Sequence, residues 1–281
     1  IRPDGSIRYA ENPPKKYEDI YPLNFWGTEA TGLWEAARDA LLFWIDCGVR
    51  TFRVDNPHTK PLSFWEWCIR EVQEKHPEVV FLSESFTRPN RMQGLAKLGF
   101  TQSYTYFTWK NTKSELEGYV NELAHSPMAQ FYRPNFFANT PDILHEYLQH
   151  GGRPAFRIRA LLAATLAPVY GIYSGYELCE NAAVHPGSEE YLDSEKYEIP
   201  VRDWNAPGNI KRDISRLNLI RRSQPALAEL TNVKFIHSES DEVIAYVKFA
   251  PHERASHLLV VVTVNPVEVR ETIVHVPLAE L

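Results

Sequence analysis

The strongest constraint on the fold lies in residues 49–85. A short β-branched, apolar run (VRTFRVD, 49–55) is followed by a helical run begun at Pro61-Leu62-Ser63 (FWEWCIREVQEKH) and stopped by Pro77. A second apolar run follows (VVFLSES, 79–85). Both apolar runs read as buried strands of the kind found in parallel sheets. A helix-length connection between them is what a right-handed parallel crossover needs. The segment therefore reads as a βαβ unit.

The alternation continues on both sides. Upstream, LWEAARDALLFWIDCG places Leu33, Ala36, Ala37, Ala40, Leu41, Trp44 and Ile45 at helical spacing, and Gly48 stands where a helix end takes a left-handed residue. Downstream, helices are expected near 89–98, 114–125, 143–151, 153–167 and 209–224, with a weak strand at 100–107 and strands at 135–139 and 168–175. Residues 1–30 read as irregular, because Asn12-Pro13-Pro14 and Tyr21-Pro22 block helix and central strand. After Pro225 the pattern changes to four strand-like runs with no helix between them: VKFIHS, EVIAYVKFA, HLLVVVTVN and TIVHVPL. The expected domains are thus an α/β portion over 1–228 and an antiparallel β domain over 229–281. About five βα units are present, where a closed (β/α)8 barrel has eight. The expected fold is the C-terminal part of a (β/α)8 TIM barrel (about strands 4–8) followed by an antiparallel β-sandwich domain. The N-terminal part of the barrel is expected to be missing. The chain does not begin with Met, which fits a fragment or a processed chain.

Composition removes several classes of function. An apolar fraction of 44% excludes disorder. With 30 Lys and Arg against 36 Asp and Glu, the net charge of −6 argues against a nucleic-acid partner. No apolar run of about 18 residues exists to span a membrane. Three widely spaced cysteines, Cys47, Cys68 and Cys179, form no disulfide framework and are expected to be buried free thiols in a reducing compartment. No metal-binding or nucleotide-binding motif occurs.

Three carboxylates carry the chemistry. On a strand, residues i and i+2 share a face, so Arg53 and Asp55 point the same way. Asp55 closes its strand, and in barrels catalytic groups sit at strand C-terminal ends. A neighbouring Arg favours the ionised carboxylate, as a nucleophile requires. The alternative is a structural Arg–Asp pair supporting the loop. Glu84 closes the next strand, so the two carboxylates are expected a few ångströms apart, near the ~5 Å of retaining glycoside chemistry. Otherwise Glu84 caps the following helix or pairs with Arg88. Asp142 follows the strand NFFAN, where it could bond sugar hydroxyls or simply cap the next helix. The stiff loop NPPKKY supplies Asn12, Lys15 and Tyr17, a set able to form a small anion site or simply to lie in a solvated loop. Among the many aromatics, Trp44, Trp65 and Trp67 are expected in the core. Tyr17, Trp26, Tyr104, Tyr106, Trp109 and Tyr132 are candidates for stacking on sugar rings.

The order Arg53-x-Asp55, Glu84, Asp142 on three strand ends resembles the signatures of the α-amylase superfamily (glycoside hydrolase family 13). More specifically, YAENPPKKYEDIYP, FRVDNPHTKP, FLSESFTRP and NFFANTPDIL resemble the α-1,4-glucan:maltose-1-phosphate maltosyltransferases. The resemblance implies retaining transfer of maltosyl from α-maltose 1-phosphate to the non-reducing end of an α-1,4-glucan, with release of phosphate. It implies Asp55 as nucleophile, Glu84 as general acid/base, Asp142 as transition-state stabiliser and Arg53 as the group that orients Asp55. Asn12, Lys15, Tyr17 and Asn56 would contact the donor phosphate. It further implies no metal or organic cofactor, a homodimer for the full-length protein, and a cytoplasmic location.

Departures sharpen this reading. The superfamily's fourth signature has His before the Asp, where this chain has Thr140-Pro141. Its second has Lys-His three and four residues after the nucleophile, where this chain has His58-Thr59. Both changes fit the maltosyltransferases and count against an ordinary starch hydrolase. The first signature is absent, so the 281-residue chain alone is expected to be inactive and poorly soluble. Two other functions compete: an α-glucan hydrolase or trehalose-forming enzyme, and a non-catalytic glucan-binding module. A donor-phosphate loop discriminates against the first, and retention of all three carboxylates against the second.

Overall fold

The computed structural model describes residues 3–279 except 8, 13, 14, 18, 19, 197 and 251–256, and for 10–12 and 15–17 it describes the backbone alone. The chain forms two compact units, Ile1–Ser103 and Tyr104–Leu281.

In the first unit, β1 (Ala10–Asn12) and β2 (Lys15–Tyr17) pair antiparallel. The irregular reading of this region is corrected here. The pairing joins Ala10 to Tyr17, Glu11 to Lys16 and Asn12 to Lys15. Helix α1 (Thr31–Asp46) ends as expected: Gly48 has φ +100° and its N–H bonds Ile45 O. Then come β3 (Thr51–Asp55), α2 (Leu62–Gln73), β4 (Val80–Glu84), α3 (Pro89–Lys97) and the two-residue β5 (Gln102–Ser103). The three strands form one parallel sheet in the order β3-β4-β5, which realises the βαβ unit.

Helix α2 buries Phe64, Trp65, Cys68, Ile69 and Val72, spaced to form one apolar stripe. They pack with Ile45, Val79, Phe81 and Leu95 into the unit's core. Each such side chain contributes about 1.5–3 kcal/mol through burial. Strand β3 departs from the expectation of burial on both faces. Phe52 and Val54 are half-buried, whereas Thr51, Arg53 and Asp55 are exposed. Its residues alternate polar and apolar, and the strand follows that period of two.

In the second unit, the weak strand expected over 100–107 gives way after β5 to a 3-10 turn at Tyr106–Trp109. Helix α4 (Lys113–His125) starts at a capping box made by Thr112 and Glu115. Strand β6 (Asn135–Phe137) pairs parallel with β7 (Val169–Gly171). Between them lies α5 (Glu146–Leu166), broken at Gly152 (φ 57°) with Pro154 just beyond. The two helices expected there are therefore two segments meeting at a kink. Helix α6 (Lys211–Ser223) follows a long loop. Strands β8 (Val233–Ile236), β9 (Val243–Lys248) and β10 (Leu258–Thr263) form an antiparallel sheet in the order β10-β9-β8. Of the fourth expected strand, only a bridge between Ser238 and Val274 forms.

Side-chain placement corrects several expectations. Trp65 is buried, but Trp44 is 53% exposed on α1. Tyr104 and Tyr132, expected as stacking platforms, are buried instead, and the Tyr132 hydroxyl donates to Tyr104 O at 3.0 Å. A buried phenol keeps such a partner because an unmade bond is costly. All three cysteines are free, yet only Cys68 is buried, while Cys47 is exposed and Cys179 half-exposed. No helix among the described residues is long and apolar enough to cross a membrane.

Candidate active site

Parallel pairing of β3 with β4 makes Asp55 and Glu84 direct register partners at the C-terminal ends of their strands. Neighbouring strands lie about 4.8 Å apart, so the two residues stand side by side on adjacent strands. The Arg53 guanidinium stands between them, 3.6 Å from Asp55 Oδ2 and 3.3 Å from Glu84 Oε1. The two acids differ in environment. The Glu84 side chain is 7% exposed and that of Asp55 67%. A buried carboxyl group needs polar partners, and Arg53 is one. The backbone N–H of Asn56 is a second donor, 3.3 Å from Glu84 Oε2 and 3.0 Å from Glu84 O.

The chain turns sharply after Asp55. Asn56 takes the left-handed conformation (φ 45°, ψ 50°), which Asn tolerates better than most residues. A 3-10 turn at Pro57–Thr59 follows. It is tied down by Thr59 Oγ1 donating to Asn56 O (2.8 Å) and Trp65 Nε1 donating to Pro57 O (2.8 Å). His58, in the middle of this turn, is buried. Burial and the nearby Arg91 push its pKa down, against the pull of Asp55. Burial also lowers the pKa of Lys60, again opposed by Asp55.

The second unit carries Asp142 beyond the end of β6. Asp142 does not cap a helix, since α5 is capped by His145, whose side chain accepts from Tyr147 N–H. Its own N–H bonds Thr140 Oγ1 at 3.2 Å, so Thr140 shapes the turn. Its carboxylate pairs with Lys196 Nζ at 2.8 Å, and Glu190 Oε1 lies 3.9 Å from the same ammonium. Asn139, fully buried, donates to the Tyr191 hydroxyl (2.6 Å) and accepts from Tyr173 N–H (2.8 Å). Lys196, Tyr191 and Tyr173 were not legible as site residues. Lys196 is 54 positions from Asp142, in a loop without periodicity, and only folding joins them.

Arg53, Asp55, Asn56 and Glu84 are thus brought together in one unit, and Asp142 gathers its partners in the other. The side chains of Asn12, Lys15 and Tyr17 lie outside the described residues; their backbones run in the β1–β2 hairpin. Among the described residues no group of three or more His, Cys, Asp or Glu is placed to hold a metal ion.

No protein-family model matches the chain. Individual proteins match it closely. The chain is 54% identical over 281 residues to the α-1,4-glucan:maltose-1-phosphate maltosyltransferase of Rhodospirillum rubrum, spanning 100% of this chain and 41% of that protein. This chain is homologous to the α-1,4-glucan:maltose-1-phosphate maltosyltransferases. The maltosyltransferase of Corynebacterium glutamicum is 55% identical over 282 residues (99% of this chain, 41% of that protein). That of Pseudomonas aeruginosa is 54% identical over 280 residues (99% and 42%). The chain therefore spans about two fifths of the length of the maltosyltransferases it matches.

Among solved structures, the α-amylase from H. orenii matches with a TM-score of 0.69 at 16% identity, covering 91% of this chain and 60% of that one. The gamma-CGTase from alkalophilic Bacillus clarkii matches with a TM-score of 0.67 at 18% identity, covering 92% of this chain and 39% of that one. These likenesses establish an α-amylase-like α/β fold with an antiparallel sheet.

Proposed function

We propose that the protein to which this chain belongs is a retaining glycosyltransferase. It moves a maltosyl unit from α-maltose 1-phosphate to the non-reducing end of an α-1,4-glucan and releases phosphate. The observation that carries this reading is the Arg53 fork between Asp55 and Glu84 on adjacent strand ends. The names of the maltosyltransferase relatives support the choice of donor and acceptor.

In this mechanism Asp55 attacks the anomeric carbon, the C–O bond to phosphate breaks, and a β-maltosyl ester forms on Asp55. Its exposure suits a nucleophile that must reach substrate, and Arg53 orients it. Glu84 assists departure of phosphate as an acid. It then takes the proton of the acceptor hydroxyl as that oxygen displaces Asp55 from the sugar, so configuration is retained. A phosphate leaving group needs little protonation, so Glu84 matters most in the transfer step. Asp142 binds the sugar hydroxyls and stabilises the oxocarbenium-like state. Asn12, Lys15, Tyr17 and Asn56 hold the donor phosphate, a role that the lysine-bearing hairpin would lack in a hydrolase.

The same reading makes residues 1–228 the part of a (β/α)8 barrel holding about strands 4–8, and 229–281 an antiparallel β-sandwich domain. The parallel pairs β3-β4-β5 and β6-β7, each with its helices, support this. So does the apolar surface of Phe43 and Trp44 on α1, which a fuller barrel would cover. The full-length protein is proposed to be a cytoplasmic homodimer without metal or organic cofactor.

The test is phosphate release from α-maltose 1-phosphate with maltohexaose, using the gene's full-length product beside Asp55→Ala. Release that requires the acceptor and vanishes in the variant is expected. Starch cleavage without phosphate release would overturn the reading.

A further inference from the structure

Lys196 is a long, flexible side chain that reaches Asp142 from a loop of little regular structure, and such a side chain loses much freedom when fixed. Its backbone must therefore be held. One residue just beyond β7, Tyr173, does this. The Tyr173 N–H bonds the buried Asn139 side chain at 2.8 Å, which ties Tyr173 to the segment leading to Asp142. Its ring meets Tyr191 edge-on, with centroids 5.4 Å apart. Its hydroxyl accepts from the backbone N–H of Glu195 at 3.0 Å, immediately before Lys196. Tyr191 is itself held by Asn139 at 2.6 Å, so both tyrosines attach this loop to one buried asparagine.

We infer that Tyr173 is a positioning residue: its hydroxyl fixes the Glu195–Lys196 backbone so that Lys196 meets Asp142. The inference rests on the proposed function only in giving Asp142 its role; the tether itself is independent of any reaction. The effect of Tyr173 on turnover passes through Lys196, which Asp142 and Glu190 share.

The test is Tyr173→Phe in the full-length protein, a change that keeps the ring and removes one oxygen. Limited trypsin digestion is followed by mass spectrometry at the bond after Lys196. Cleavage there is expected about tenfold faster than in the unmodified protein, the scale of one lost hydrogen bond, with other cleavage sites unchanged. In the phosphate-release assay kcat/KM is expected to fall about tenfold. The same change in a Lys196→Met background is expected to cause no further loss. Equal cleavage after Lys196 in both proteins would overturn the tether. Faster cleavage with fully additive losses would overturn the route through Lys196. Faster cleavage in a protein that releases no phosphate even unmodified would sustain the tether and reject the maltosyltransferase reading instead.

Discussion

Asp55 and Glu84 face each other across β3 and β4 as register partners, and Arg53 reaches both, at 3.6 Å and 3.3 Å. One planar cation thus sets the geometry of two acids with different exposure. Arg53→Lys keeps the charge but loses the fork. Small misplacements of groups at a reacting centre can cost about 100-fold, so kcat/KM for phosphate release is expected to drop roughly 10- to 100-fold. Steady-state kinetics checks this, and an unchanged kcat/KM would remove Arg53 from the site.

Asn56 permits a test that separates fold from function. Its φ of 45° is one that Gly also adopts freely. Asn56→Gly is therefore expected to leave the melting temperature nearly unchanged and to raise KM for α-maltose 1-phosphate several-fold. Asn56→Val is expected to lower stability by about 1–2 kcal/mol, because a β-branched residue resists this conformation. Thermal melts and donor titrations of the two variants decide it.

Close packing of β6 on β7 leaves no room beside Gly171. A Cβ there would stand 2.2 Å from the Phe137 ring, which is itself stacked on Tyr104 at 4.5 Å. Gly171→Ala is expected to cost about 1–3 kcal/mol through overpacking. Urea unfolding measures the loss, and adding Phe137→Leu is expected to recover part of it.

Lys248 gives stability a pH dependence. It is fully buried on β9, and its ammonium donates to Glu229 O at 2.5 Å. Burial, with Arg221 nearby, lowers its pKa to about 7 against the pull of Glu229. Unfolded, a lysine keeps its proton up to about 10.4. Between these values the unfolded state binds more protons, so stability rises with pH across this window, by at most ~1.4 kcal/mol per pH unit. Below pH 7 both states are protonated and the penalty of the buried charge is fully present. Lys248→Met is expected to flatten the rise, as urea midpoints at pH 7 and pH 10 would reveal.

The candidate site was legible where neighbours along the chain decide it. Arg53 and Asp55 share a face because side chains alternate on a strand, and the βαβ reading placed Glu84 on the next strand end. The pairing of β1 with β2 was not legible, because prolines in a sequence say what they exclude and not what pairs on either side. The exposure of Trp44 was missed for another reason. Helical spacing identifies an apolar stripe but not how much of it finds a partner.

Local pattern settled the order of most strands and helices, two helical runs meeting near residue 152, the end of α1 at Gly48 and the carboxylates that close β3 and β4. These depend on backbone preference and side-chain period, which act over a few residues. The fold alone settled which groups meet: Glu84 beneath Arg53, Lys196 on Asp142 across 54 positions, and Lys248 shut into β9. Such pairings follow from register, loop path and burial. They arise from packing of segments far apart in the chain, and no local propensity encodes them.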